Sequence, residues 1–192
     1  MSYLVSGARV AIRPFALDDA EEFCAAARAS TGLHRPWLHP PLRPEEYVPY
    51  ATKLLAAGDR GDRGDKAGFL VCERQDGRIA GFVNVNNIVQ GAFRCGALGY
   101  GAFVHAAGRG LLGEGLDLVL DHAFGPAMSL HRLEANIQPA NTASIALVKR
   151  AGFRLEGYSP DFLHVDGAWR DHERWAITTE LRDARRPGAN PR

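Results

Sequence analysis

The chain has 192 residues, a length at which one domain around a single core is expected. Hydrophobic residues form 46% of it and charged residues 23%, a balance that excludes a disordered or fibrous protein. Its 23 Lys and Arg residues nearly match its 22 Asp and Glu residues, so no overall field attracts nucleic acid or an anionic membrane.

The cysteines and the first residues of the chain indicate a protein of a reducing compartment. Cys24, Cys72 and Cys95 are odd in number and lie in apolar runs, as small buried side chains do. Residues 1–10 lack the basic and apolar regions of an export signal, and no apolar run approaches the ~20 residues that span a bilayer. We therefore expect a cytoplasmic protein without a disulfide framework.

The first third of the chain predicts a strand, two helices and the loops between them. Residues 8–15 alternate apolar and polar side chains and predict a strand, which a helix follows to residue 29. Residues 30–46 are rich in proline and carry Trp37, so they predict an irregular loop, a candidate wall of a substrate site. A second helix is expected over residues 45–57, before a glycine-rich polar surface loop at residues 58–64.

The centre of the chain predicts an antiparallel meander. Residues 68–74 and 78–89 are apolar and rich in β-branched side chains. The Asp76-Gly77 pair between them is a strong hairpin signal, so the two strands should pair. Residues 93–104 predict a third strand of the same sheet, which Gly91 separates from the second by a turn.

Beyond residue 104 the apolar spacing changes from that of a strand to that of a helix. A helix is expected over residues 111–123, then a strand at 131–138, a helix at 141–151, and two final strands at 153–165 and 168–179. This order predicts an α/β (α+β) fold, in which helices flank a largely antiparallel sheet with a parallel central pair. The domain should cover residues 1–181, and residues 182–192 should form a polar tail.

Gly108-Arg109-Gly110, between a predicted strand and a predicted helix, is a candidate anion site. Backbone amides in the first turn of a helix have no partner within it, and they attract anions such as phosphate. The glycines remove Cβ atoms that would keep a pyrophosphate from the backbone, and Arg109 adds positive charge. The turn lacks the fingerprints of NAD-binding and ATP-binding loops, and by itself it is also compatible with a connection that binds nothing.

Three longer stretches contain this turn or follow it. They are LGY at residues 98–100 leading to GRGL at 108–111, PANTASIALVKRAGF at 139–153, and EGYSPDFLHVDGAWRDH at 156–172. Their order and spacing resemble the GNAT superfamily of N-acetyltransferases. The last stretch, together with NNIVQGAF at residues 86–93, is similar to the RimJ/RimL type, the ribosomal-protein-alanine N-acetyltransferases.

The resemblance implies that the two central parallel strands splay apart and that the pantetheine arm of acetyl-CoA lies between them. The residues facing the pantetheine would be Phe103, Val104 and His105. The residues holding the pyrophosphate through their amides would be Gly108, Arg109, Gly110 and Leu111. Asn141 matches a family asparagine that contacts the cofactor, and its position also suits a helix N-cap.

The family's usual catalytic groups are partly missing from this sequence. Val148 occupies the position at which many GNAT proteins carry a tyrosine near the thioester sulfur, and valine cannot donate a proton. Ser144 lies one helical turn earlier and matches a serine near the departing thiolate in RimL-like enzymes. It is therefore a candidate cofactor contact and catalytic acid, with a water molecule as the alternative. The base is also missing, because no glutamate occurs in the strand before the glycine turn.

Candidates for the base and for acceptor binding lie in the RimJ-like stretch and in the proline-rich loop. Asp161 and His164 are candidate bases, although both also suit solvated strand positions, and Asp161 would equally pair with a substrate ammonium. Trp37 matches an aromatic residue that walls the acceptor pocket in the family, with a hydrophobic plug as the alternative.

The sequence thus predicts direct transfer of an acetyl group from acetyl-CoA to the N-terminal α-amine of a ribosomal protein, without a metal. An α-amine with a pKa near 8 is roughly a tenth neutral at pH 7, so it needs less help from a base than a lysine does. A small amine or an antibiotic is the alternative acceptor, and an acyl-CoA-binding module without turnover is the alternative to an enzyme. Neither nucleic acid nor a membrane is an expected partner, and the resemblance is compatible with a homodimer.

Overall fold

Eight strands form one mixed sheet in the computed structural model, which describes residues 2–55 and 65–185. The polar loop predicted at residues 58–64 lies outside the described residues, as does the tail beyond residue 185. The strands are β1 Val5–Ser6, β2 Val10–Pro14, β3 Ala67–Glu73, β4 Ile79–Val89, β5 Cys95–Ala102, β6 Arg132–Ile137, β7 Arg154–Val165 and β8 Ala168–Thr178. The helices are α1 Ala20–Ala29, α2 Thr31–His34, α3 Pro44–Leu55, α4 Leu111–Phe124, α5 Thr142–Ala151 and α6 Thr179–Asp183.

The order of the strands across the sheet is β1-β2-β3-β4-β5-β6-β8-β7. Neighbours are antiparallel throughout, except that β5 and β6 run parallel. The helix α4 connects these two strands, as a parallel pair requires a crossover. The predicted fold class, a largely antiparallel sheet with a central parallel pair flanked by helices, is confirmed.

The parallel pair separates soon after it forms. Cys95, Gly96 and Ala97 of β5 lie opposite Arg132, Leu133 and Glu134 of β6, and the pairing ends there. Both strands continue beyond that point, β5 to Ala102 and β6 to Ile137. The sheet therefore contains a wedge-shaped gap between the later halves of two neighbouring strands.

Side chains along each strand alternate between the two faces of the sheet. Helices cover both faces, and a hydrophobic core lies beneath the helices on each face. Val83 and Val85 of β4 point to the core beneath α4 and α5, together with Leu133, Ala135 and Ile137 of β6. Phe82 points to the opposite core, where its ring packs against Phe23 of α1, and Phe23 in turn packs against Tyr47 of α3. The gap between β5 and β6 thus opens between two helical layers.

The structure differs from the predicted elements mainly at their ends. The third strand of the meander begins at Cys95, because Arg94 has a positive φ of 42° and Phe93 is 72% exposed. The proline-rich loop contains the short helix α2. Arg182, where the polar tail was expected to begin, lies in α6, and its guanidinium donates to Asp117 Oδ1 on α4 at 2.6 Å.

Candidate active site

Two cavities meet at the gap between β5 and β6. The larger has a volume of about 630 Å³ and reaches from the gap to the glycine turn and α5. The smaller has about 180 Å³ and lies between the ends of β6, β7 and β8 and the proline-rich loop. Residues that line both are Trp37, Leu38, Tyr100, Asn141 and Ser144. The two cavities therefore adjoin along the wall formed by β5 and the start of α5.

The glycine turn forms one end of the larger cavity. Gly108 and Gly110 have φ values of 74° and 76°, a left-handed conformation that a residue with a Cβ adopts only with strain. Gly110 is the N-cap of α4, and the amides of Gly108, Gly110 and Leu111 have no acceptor among residues 2–55 and 65–185. Exposed N–H groups at the start of a 14-residue helix are a favourable site for a phosphate.

Arg9 of the first β-turn holds this loop from behind. Its guanidinium donates to the carbonyl oxygens of Arg109 at 2.9 Å and Gly110 at 3.4 Å, and its Nε donates to Glu114 at 2.9 Å. In a trans peptide the N–H points in the opposite direction to the C=O. Because the carbonyls of Arg109 and Gly110 point toward Arg9, the N–H groups of Gly110 and Leu111 point away from it. Burial opposes ionisation of Glu114, but hydrogen bonds from Arg9 and Val10 lower the pKa of its carboxyl group.

Arg109 itself directs its charge away from the cavity. Its guanidinium forms two hydrogen bonds to the carboxylate of Glu73 on β3, at 3.0 and 2.8 Å. Arg150 of α5 lines the larger cavity and supplies a cationic side chain there. The backbone N–H of Arg109, predicted to hold a pyrophosphate, instead donates to the carbonyl oxygen of Ala106 at 3.3 Å.

The three residues predicted to face the pantetheine lie just beyond the end of β5. Phe103 is fully buried, its ring packs against Phe23, and its N–H donates to the carbonyl oxygen of Ala80 at 2.9 Å. The N–H of Val104 donates to Ser30 Oγ at 2.9 Å, and His105 stacks on Phe103. The strand residues that line the larger cavity are Tyr100, Gly101 and Ala102, the last three residues of β5.

Tyr100 and Ser144 form a hydrogen-bonded pair where the two cavities meet. The hydroxyl of Tyr100 on β5 lies 2.6 Å from Ser144 Oγ on α5. Burial raises the pKa of Tyr100 to about 12, against the opposing effect of the bond with Ser144. Ser144 was a predicted site residue, whereas Tyr100 had no predicted role. The only sequence signal for Tyr100 was its place in the LGY motif before the glycine turn.

Asn141 positions Ser144 within this pair. Its side-chain oxygen accepts a hydrogen bond from the backbone N–H of Ser144 at 3.1 Å, so Asn141 is the N-cap of α5. The same residue lines both cavities. Val148, one turn beyond Ser144 along the helix, is fully buried in the core.

The acceptor side of the gap contains Trp37 but neither predicted base. Trp37 lines both cavities, as a wall of an acceptor site would. Asp161 is exposed on a bulge of β7, with a φ of 47°, and its N–H donates to Asp171 Oδ1 at 2.9 Å. His164 is exposed and packs edge-on against Trp169. Neither Asp161 nor His164 is among the residues that line the two cavities.

The described parts of the chain offer neither a cluster of metal ligands nor a membrane-spanning helix. Residues 2–55 and 65–185 contain no group of three or more His, Cys, Asp or Glu side chains that could hold a metal ion. Over the same ranges, no helix has the length and apolar character needed to cross a membrane.

The fold and the gap agree with comparisons to known proteins. Residues 9–154 match the family model of the acetyltransferase (GNAT) domain. The [ribosomal protein uS5]-alanine N-acetyltransferase of Escherichia coli (strain K12) is 32% identical over 148 residues, which cover 76% of this chain and 75% of that protein. The probable N-acetyltransferase YjcK of Bacillus subtilis (strain 168) is 27% identical over 177 residues, 91% of this chain and 96% of that one.

A solved structure shows the same architecture. RimJ of Mycobacterium smegmatis, determined in complex with CoA-disulfide, superposes with a TM-score of 0.80 at 32% sequence identity. The match covers 89% of this chain and 82% of that one. The chain therefore belongs to the GNAT family of acetyltransferases. Within that family its relatives are RimJ/RimL-type ribosomal-protein acetyltransferases, which confirms the resemblance inferred from the sequence.

Proposed function

We propose that the protein transfers the acetyl group of acetyl-CoA to the N-terminal α-amine of a ribosomal protein. The observation that carries this proposal is the gap between β5 and β6, which ends at the unpaired amides of a turn braced by Arg9. A related enzyme of Escherichia coli is named for acetylating the alanine of a ribosomal protein, and the Mycobacterium smegmatis structure contains a form of CoA. These relatives support both the cofactor and the class of acceptor.

The residues around the larger cavity fit coenzyme A. The amides of Gly108, Gly110 and Leu111 would hold its pyrophosphate, which needs several donors and close access to the backbone. Added Cβ atoms on Gly108 and Gly110 would project from a backbone that already has positive φ. The pantetheine arm is a chain of amides, and the edge of β5 left unpaired beyond Ala97 offers backbone donors and acceptors to it.

The proposed reaction is direct transfer between the two bound substrates. A neutral amine nitrogen attacks the thioester carbonyl carbon, the C–N bond forms, and the C–S bond breaks. One proton leaves the nitrogen, and one proton must reach the departing thiolate. Ser144 supplies the second proton and regains one from solvent, and Tyr100, which stays protonated at neutral pH, supports it through the 2.6 Å hydrogen bond.

The acceptor enters from the side of Trp37. The smaller cavity is narrow, with about 180 Å³, so it admits the end of a chain more readily than a bulky folded surface. An α-amine with a pKa near 8 is partly neutral at pH 7, unlike lysine with a pKa near 10.4, which suits a site whose lining contains no carboxylate.

The proposal is tested with peptides that carry the N-terminal sequences of ribosomal proteins, including one that begins with alanine and contains a lysine. The purified protein is incubated with acetyl-CoA, free thiol is measured, and mass spectrometry locates the acetyl group. We expect modification of the α-amine alone. The matched control is the same peptide with a blocked N-terminus, which should release no thiol above background. Transfer only to the lysine or to small amines such as polyamines, or no binding of CoA by calorimetry, would overturn the proposal.

A further inference from the structure

One histidine that lines the smaller cavity has no role in the reaction described above. His172 of β8 is 3% exposed and lines this cavity together with Tyr100 and Ser144. Its ring Nδ1 lies 2.8 Å from the carbonyl oxygen of Arg170. A carbonyl oxygen only accepts hydrogen bonds, so Nδ1 must carry the proton. The neutral ring therefore has its lone pair on Nε2, and the backbone fixes this tautomer.

The second ring nitrogen remains available to a substrate. No residue in the described ranges makes a hydrogen bond to His172 Nε2, and this atom is not among the buried polar atoms sealed from solvent. His105 differs, because its Nε2 is both buried and without a partner, and the residue does not line either cavity. Since His172 is almost completely buried, its remaining access is through the cavity that it lines.

Asn136 lines the same cavity as His172. It lies on β6 opposite Arg174, two residues from His172 along β8, so both side chains share one face of the sheet. Its side-chain oxygen is buried without a partner among the described residues. Because this oxygen is also closed to solvent, it offers no acceptor to a substrate, and His172 Nε2 remains the candidate acceptor for an amine proton.

The charged and titratable groups around His172 are few. Tyr100 is the other titratable residue that lines the cavity. On β8 the neighbours of His172 are Arg170, Asp171, Glu173 and Arg174, and opposite it on β7 lies Ser159. The carboxylate of Asp171 is bonded to the hydroxyl of Tyr158 and to the N–H of Asp161, and the ring of Phe162 packs against His172.

We propose that His172 is the general base of the reaction, an inference that rests on the proposed function. As the acceptor nitrogen bonds to the acetyl carbon, one of its protons passes to Nε2. The imidazolium keeps its Nδ1–H bond to the Arg170 carbonyl and later releases the proton to solvent. The departing thiolate receives a separate proton from Ser144 across the cavity, and Ser144 regains a proton from solvent, so the histidine and the serine divide the two proton transfers between them.

The test is His172→Asn, because the asparagine amide can keep the hydrogen bond to the Arg170 carbonyl while the base is removed. With an α-amine peptide at pH 7, we expect kcat to fall by about 10²-fold or more, the usual contribution of a general base. Calorimetric affinity for CoA should not change. The difference in kcat between the variant and the wild type should shrink as pH rises toward the α-amine pKa of about 8, because more of the acceptor amine is then neutral without a base. His131→Asn, at the opposite end of β6, is the matched control and should match the wild type.

A second measurement uses the wild-type enzyme, so its result does not depend on whether the variant folds. The pH profile of kcat is compared for two peptides whose α-amines differ in pKa. A histidine base gives a rising limb at the same pH for both peptides, whereas a limb that follows the acceptor would overturn the inference. Wild-type kcat and an unchanged pH profile in His172→Asn would overturn it as well. If the wild type acetylates no α-amine, the proposed function itself fails, and that result is separate from either outcome for His172.

Discussion

The contact between Tyr100 and Ser144 joins two residues that are 44 positions apart in the chain. Val148 fills the place where a tyrosine would be expected in this family, but a tyrosine hydroxyl reaches the same region from β5 instead. The pKa of Tyr100 is raised to about 12, so the pair is fully protonated at neutral pH. In the proposed reaction, a serine supported by a tyrosine thus replaces a single proton donor near the thiolate.

We expect Ser144→Ala to lower kcat by about 10²-fold with little change in CoA affinity, because proton donation matters only once the C–S bond breaks. Tyr100→Phe should lower kcat less, and the double variant should be no slower than Ser144→Ala, since the two hydroxyls act as one unit. Steady-state kinetics and calorimetry measure these effects. Thr142→Ala, in the same helix but outside both cavities, is the control. Unchanged kcat in Ser144→Ala over a range of pH would instead indicate protonation by water.

At the scale of elements, the close approach of α4 to the sheet aligns the start of the helix with the gap. Gly115 permits this approach, because an added Cβ would lie 2.6 Å from both methyl groups of Val71 on β3. Gly113, two residues earlier on the same helix, is different: the nearest atom to an added Cβ is Leu147 Cδ1 at 3.5 Å, an ordinary contact. The two glycines therefore have different structural roles.

Alanine substitutions separate these roles. Gly115→Ala should lower the free energy of unfolding by about 1–3 kcal/mol, because the stiff Val71 side chain cannot yield without moving the strand. Gly113→Ala should raise it by about 0.5–1 kcal/mol, because alanine favours the helix over glycine and fits here. Urea denaturation of both variants provides the measurement. Equal effects of the two substitutions would show that helix propensity alone matters and that α4 does not pack as described.

At the scale of the whole molecule, burial of histidines couples the stability of the fold to pH. Burial lowers the pKa of His34, against the opposing effect of its bond to the Ala102 carbonyl, and it also lowers the pKa values of His105 and His122. The unfolded chain therefore binds these protons more readily than the folded protein does. The free energy of unfolding should fall as pH decreases below 6.5, the ordinary histidine pKa, and it should level off above it.

His34→Gln tests this coupling at one site. Glutamine can keep a donor at the position of His34 Nε2, which lies 2.8 Å from the Ala102 carbonyl oxygen, but it does not titrate. The variant should lose less stability than the wild type between pH 7 and pH 5.5 in urea unfolding experiments. The same exchange at the exposed His164 serves as the control. A pH dependence identical to that of the wild type would mean that protonation of His34 does not oppose folding.

Several features of this protein were determined locally and could be predicted from the sequence. The Asp76-Gly77 hairpin, the helix after the glycine turn and the Asn141 cap each depend on residues a few positions apart. Hydrophobic periodicity and turn chemistry report such short-range preferences directly. The family resemblance also depends on such local motifs, and it correctly indicated a splayed parallel pair.

Other features depend on the tertiary structure alone. The end of the β5–β6 pairing at Ala97, the meeting of Tyr100 with Ser144, the brace of Arg9 on Glu114 and the arrival of His172 in the cavity all join distant parts of the chain. Strand register and side-chain packing decide these contacts, and a shift of one residue would reverse which face each side chain occupies. The sequence by itself therefore determined the elements and the glycine turn, whereas only the packed sheet decided which side chains share the gap.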